Sequence, residues 1–247
     1  ALVIFGGLKS IVRVTSSLVP VMVGLYFFMG LYMIFSNLDE VIPTFKLIFF
    51  EAFNFKTAIT GGFWGLVILG VRRAVFSNES GIGNAPMYHG QSQSEKGTDE
   101  GLVAMLGPFL DTILVCSVTG LVVIISGAYK VEGLNGIVLT LEAFRRLFFG
   151  FGDILLLLMV FVFGISTLFT YSYYGVKCFG YLTKIKWGNY YNYFYIGSII
   201  FSALVSVEVV IGIIDLSFAL MCVPNMISLV FLSNHVKNEM RERKWFN

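Results

Sequence analysis

Charge is what this sequence has least of. Asp, Glu, Lys and Arg make up 13% of its 247 residues, about half the ~25% of an ordinary globular chain. That scarcity excludes a water-soluble globular domain. The charges present nearly cancel, at a formal +2, so nothing points to nucleic acid. Cysteine is also sparse. Cys116, Cys178 and Cys222 each lie in or beside an apolar run, match no metal or redox spacing, and read as small core residues. The two histidines, His89 and His235, fall in polar segments and carry no site. No nucleophile–base pair or metal-ligand spacing occurs, which argues against an enzyme, a catalytic residue, a metal centre or an organic cofactor. No basic n-region precedes the apolar start, and Lys9 follows it, so a signal peptide does not fit. The chain opens on Ala1 rather than methionine, and residues 1–7 resemble the tail of an earlier span. The expectation is a fragment lacking its N-terminal part.

What the sequence does have is long apolar runs: 57% of residues are hydrophobic and the mean hydropathy is +0.82. These values indicate an all-α integral membrane protein in contact with lipid. Six spans are expected, at 14–37, 60–87 (broken), 101–127, 154–176, 187–212 and 216–233, the last interrupted by Pro224 and Asn225. Residues 42–53 are aromatic, carry Lys46 and Glu51, and are too short to span, so they read as an interfacial or re-entrant helix. Lys9, Arg13, Lys96, Lys177, Lys184, Lys186 and the basic tail fall in one set of alternate loops, and Asp39, Glu40 and Asp215 in the other. The positive-inside rule then puts 88–100 and 237–247 in the cytoplasm and 130–142 outside, in a multi-pass protein of the cell membrane.

The stretch 76–87 stands out. Two glycines, a proline and several polar side chains sit where an apolar segment should still be crossing the bilayer, and the polar run 88–100 follows. Non-helical backbone at membrane depth is tolerated only where protein or a wet cavity covers it. Secondary transporters bind solute and ion at such breaks. Gly81 and Gly83 allow the backbone to leave the helix. The freed N–H and C=O groups can hold a carboxylate or a cation. Phe76, Ser77, Asn78, Glu79 and Asn84 are the neighbouring candidates, Glu79 foremost as an intramembrane ionisable group. Against this stand a plain helix end, packing through small residues, and an ion pair of Glu79 with Arg72 or Arg73. Asp111, deep in its span, also reads as an arginine partner.

The string 73–87, RAVFSNESGIGNAPM, resembles the RGLFSNEAGLGSAPI signature of the alanine or glycine:cation symporter family, the sodium:alanine symporters. The runs GLVAMLG at 101–107, DTILVC at 111–116, STLFTYSYYG at 166–175, VPN at 223–225 and GGLKSI at 6–11 follow the family's motifs. The resemblance covers nearly the whole chain. Ser80 replaces the usual alanine, Asn84 a serine, Thr170 a glycine, Tyr171 a tryptophan and Val176 a glutamate.

The resemblance implies a sodium- or proton-coupled symporter of small neutral amino acids such as alanine or glycine. It implies the LeuT-type inverted-repeat fold, with this chain holding the second repeat plus the last helix of the first. The missing N-terminal repeat of the same protein would supply the rest of the site. It also places Tyr171 in the substrate pocket and assigns Ser166 and Thr167 to sodium. Such hydroxyls otherwise back-bond to their own helix, and Tyr171 otherwise joins Tyr173 and Tyr174 in an interfacial belt. Other readings of the whole are a structural or channel-like membrane subunit and an inactive truncated transporter.

Overall fold

The computed structural model describes residues 7–53, 63–148 and 150–242, the side chains of 7–15, 63 and 66 excepted. The described residues form helices and no strand: α1 (Gly7–Phe35), α2 (Leu38–Ala52), α3 (Phe63–Asn78), α4 (Ala85–His89), α5 (Gly97–Pro108), a π-helical segment (Phe109–Val115), α6 (Cys116–Ile125), α7 (Ile137–Leu147), α8 (Gly152–Leu182), α9 (Tyr191–Ser202) and α10 (Val207–Glu242). Among them, Ser16–Phe35, Gly97–Ile125, Gly152–Leu182 and Val207–Glu242 are long and apolar enough to cross a membrane. The shortest has 20 residues, or ~30 Å at 1.5 Å per residue, the thickness of a hydrocarbon core. This is a multi-pass integral membrane protein. The chain divides into two compact units, Ala1–Ile68 with Ile113–Tyr173, and Leu69–Thr112 with Tyr174–Asn247.

The first unit is built on a seam between α1 and α6. Met22, Met29 and Met33 recur on one face of α1 and are buried with Val118 and Val122 of α6. Gly30 lies in this seam, where a Cβ would run into the Val118 side chain. A small residue there lets the two helices approach closely. Tyr26 Oη and Thr119 Oγ1 share a hydrogen bond of 2.5 Å across the same seam. Asn37 closes α1 by donating Nδ2 to the Met33 carbonyl at 2.8 Å. Asp39 and Glu40 then occupy the first turn of α2, where their charge suits the positive end of the helix dipole.

The charged stretch 129–146, which the sequence alone reads as a loop between the spans 101–127 and 154–176, contains α7. Glu142 accepts from Arg146 Nε at 2.8 Å, one turn apart. The opposite face supplies Ala143 and Phe144 to the core, beside Leu156 and Met159 of α8. Tyr173, expected at a membrane interface, is only 5% exposed and packs within protein.

In the second unit the helix boundary expected between 212 and 216 lies at 203–206, and α10 runs without interruption from Val207 to Glu242. Asp215 is therefore a helix-interior residue, and its carboxylate is paired with Arg72 of α3. A paired carboxylate can stay inside a membrane helix where a bare one would end it. Pro224 also sits within α10 rather than breaking it, as prolines do in membrane helices whose freed backbone groups are satisfied elsewhere. The expected span 187–212 resolves into a 3₁₀ turn (Ile185–Tyr190) followed by α9.

Candidate ligand site at an interrupted helix

α3 stops at Asn78 and helical structure resumes at Ala85. Between them Glu79, Gly81 and Gly83 have φ of 53°, 82° and 108°. Three left-handed residues within five cannot belong to an α-helix of L-residues. The two glycines adopt these angles without a Cβ penalty. Glu79 is a non-glycine residue in a region that costs ~1–3 kcal/mol and is held only where its surroundings fix it. What fixes it is local. Asn78 Oδ1 accepts the Ser80 N–H at 2.9 Å. Asn84, 3% exposed, donates Nδ2 to Glu79 Oε2 at 2.9 Å. Ile82, completely buried, anchors the turn. Among the described residues the N–H groups of Gly81 and Gly83 and the carbonyl of Ser80, none of them in a buried residue, make no hydrogen bond. The break thus presents both donors and acceptors of the backbone.

Other helices of the same unit grip the ends of this turn. Ser77 Oγ donates to Asp111 Oδ2 at 2.5 Å, and Asn78 Nδ2 donates to Thr112 Oγ1 at 3.3 Å. Asp111 and Thr112 lie in the π-helical segment, a distortion frequent at functional sites. Of the two arginines expected for Asp111, Arg72 pairs instead with Asp215, and among the described residues neither Arg72 nor Arg73 forms an ion pair with Asp111. Arg72 and Ser77 are five residues apart, or ~140° around a helix of 3.6 residues per turn, so they face different neighbours. Phe76 packs its ring on Phe218 of α10, with centroids 5.5 Å apart. Asn225 of α10 donates Nδ2 to the Gly81 carbonyl at 2.8 Å.

The other candidates lie in the first unit. Ser166 is buried and Thr167 half-buried. Their hydroxyls donate to one acceptor, the Phe163 carbonyl, at 2.8 and 2.9 Å. Both protons point back into the helix, so the oxygen lone pairs remain available to a cation. Thr167 is the middle residue of the 31-residue span Gly152–Leu182. Tyr171 lies one turn further along α8 and is half-buried. Among the described residues no group of three or more His, Cys, Asp or Glu is placed to hold a metal. His89 Nδ1 lies 2.5 Å from Glu100 Oε1.

Three contributors to the break were not anticipated: Asn225, Thr112 and the π-helical segment. Pro108, which removes a backbone donor just before Phe109, was the one local sign of the last.

An interrupted helix with backbone polar groups left out of helical hydrogen bonding, in a multi-pass membrane protein, is an arrangement that membrane transporters use. The chain belongs to the sodium:alanine symporter family, which it matches over residues 1–245; this is a family of transporters, not of enzymes. It is similar to the sodium/alanine symporter AgcS of Methanococcus maripaludis, 38% identical over 98% of this chain and 54% of that protein. It is similar also to GlnT of Bacillus subtilis, named "Probable sodium/glutamine symporter", 31% identical over 97% of this chain and 50% of that one. A third relative, the sodium/proton-dependent alanine carrier protein of Bacillus sp. (strain PS3), is 30% identical over 73% and 44%. The chain spans about half the length of the curated relatives it matches.

Proposed function

We propose that this chain forms one half of a secondary active symporter that couples sodium entry, with the proton as the other candidate ion, to uptake of a small neutral amino acid such as alanine or glycine. The observation that carries this reading is the unwound turn at 79–84, in a member of a sodium:alanine symporter family. The turn's free N–H groups suit a carboxylate and its free Ser80 carbonyl an ammonium or a cation. Phe76, Ser77, Asn78, Glu79, Gly81, Gly83 and Asn84 are the proposed substrate residues of this segment, and the family resemblance separately implies a substrate role for Tyr171. Ser166 and Thr167 supply hydroxyl oxygens to sodium, a hard cation of the kind that takes oxygen ligands. In the LeuT-type inverted-repeat fold the chain corresponds to the second repeat with the last helix of the first. A complete site then also takes the broken helix of the other repeat.

The test is uptake into proteoliposomes carrying the full-length protein. An inward sodium gradient should drive saturable accumulation of labelled alanine above equilibrium, and dissipating the gradient should end it. A non-saturable leak would favour the channel-like reading, and no uptake an inactive one. A proton gradient applied without sodium separates the two coupling ions. Tyr171 is smaller than an indole, so competition along glycine, alanine, serine and valine should extend beyond the methyl side chain. A steep loss after alanine would refute that wider pocket.

The orientation follows from the basic residues. The segment 88–100 and the tail 237–247 are assigned to the cytoplasm of a cell-membrane protein. In sealed cells a Ser94→Cys variant should resist an impermeant thiol reagent until the membrane is opened. Labelling from outside would invert the topology.

A further inference from the structure

We propose that Asn225 of α10 is a positioning residue for the site at the break: it holds the Gly81 carbonyl and keeps the turn 79–84 unwound, so that ligand affinity there depends on the placement of α10. The inference rests on the reading of the break as a ligand site.

In a continuous α-helix the Gly81 carbonyl would accept the N–H of Ala85, four residues on. Here it accepts Asn225 Nδ2 at 2.8 Å instead. A side-chain amide from another helix thus takes the place of the helical donor and competes with it for the carbonyl, so that the Asn225 bond is made only while the turn stays open. Sterics act in the same sense. A Cβ on Gly83 would stand 3.4 Å from Asn225 Cβ and Cγ, and one on Gly81 would stand 3.8 Å from Met226 Sδ. Consecutive residues of α10 are therefore fitted against the two glycines. Pro224, immediately before Asn225, has no N–H to give the carbonyl four residues earlier in α10. The helix therefore lacks one backbone hydrogen bond next to where it meets the turn. Ser77 and Asn78 are fixed to Asp111 and Thr112, and Arg72 and Phe76 tie α3 to Asp215 and Phe218 of α10, so the start of the turn is anchored and Asn225 sets its far side.

Asn225→Asp keeps the size and removes the donor, leaving an oxygen against the Gly81 carbonyl. Asn225→Ala removes the group altogether. In the purified full-length protein, both should speed hydrogen exchange of the peptide covering 79–84 by about tenfold, a 1.4 kcal/mol effect. Both should raise the KM for amino acid by about the same factor, with kcat and Tm close to wild type. Asn225→Gln, which keeps the amide, should recover part of the loss. Wild-type exchange and KM in Asn225→Asp would overturn the proposal. So would a gain in sodium affinity, the mark of a direct cation ligand, or a general loss of Tm that accounts for the whole effect. Should Asn225→Asp fail to assemble, Asn225→Ala gives the same readings. If the wild type shows no sodium-driven uptake, the symporter reading fails, and the exchange measurement still decides whether Asn225 holds the turn.

Discussion

Replacing Gly83 by leucine is expected to abolish sodium-driven amino-acid uptake while the protein still inserts and keeps near-wild-type thermal stability. Gly83 has φ 108°. A β-carbon there costs ~1–2 kcal/mol in the left-handed region. Leucine also favours continuing the helix by up to ~1 kcal/mol over glycine. Together these amount to ~1–3 kcal/mol, about five- to a hundredfold in an equilibrium, and move the 79–84 segment toward a continuous helix. The side chain adds a steric component, because its Cβ already stands 3.4 Å from Asn225 and the rest must displace that amide. Rewinding would turn the freed carbonyls and N–H groups back into the helix, away from a ligand. The measurement is paired, with ligand binding and thermal unfolding on the same purified full-length variant. Lost binding at near-normal stability supports a ligand site at the break. Normal binding would sink it, and binding lost in proportion to stability would make Gly83 a packing residue.

The break was legible in the sequence because its signal is local. Two glycines and a run of polar side chains inside an apolar segment have few physical explanations in lipid. The left-handed conformation of Glu79 was not legible. Nothing in a glutamate announces φ > 0, and its stabilisation comes from Asn84, whose reach back depends on the turn already being formed. Asn225 was visible only as part of a proline-containing interruption in the last span. Its partner Gly81 lies 144 residues away, beyond any periodicity argument. The two acidic residues are misleading in the sequence for different reasons. Asp215 looked like a helix end because it is charged, and Asp111 looked like an arginine's partner because it is deep. The structure gives the arginine to Asp215 and a serine to Asp111. Which face of α3 each meets follows from the packing of three helices, not from depth. α7 has a clear apolar face, but at 11 residues it is too short to cross a membrane, and Glu142, Arg145 and Arg146 give the stretch the charge of a loop.

Thr167→Ala should weaken the apparent affinity for sodium by about tenfold, or 1.4 kcal/mol, and leave the KM for amino acid at saturating sodium within about twofold. Thr167 and Ser166 both give their protons to the Phe163 carbonyl. Those back-bonds hold the two hydroxyl oxygens in fixed positions with acceptor lone pairs to spare, at the middle of a span where a cation would otherwise go unsolvated. Removing one oxygen removes one ligand. It costs the fold little, because a threonine back-bonded to its own helix adds nothing to helix stability and the Phe163 carbonyl keeps Ser166 as a donor. An effect on stability is therefore a poor explanation for a change in ion dependence at this position. The check is uptake as a function of external sodium at fixed amino acid, then of amino acid at saturating sodium, with thermal unfolding alongside. An unchanged sodium curve in a folded protein would remove Ser166 and Thr167 from the ion site and leave their hydroxyls as helix-internal hydrogen bonds. A rise in the amino-acid KM without a sodium effect would assign Thr167 to the substrate pocket with Tyr171.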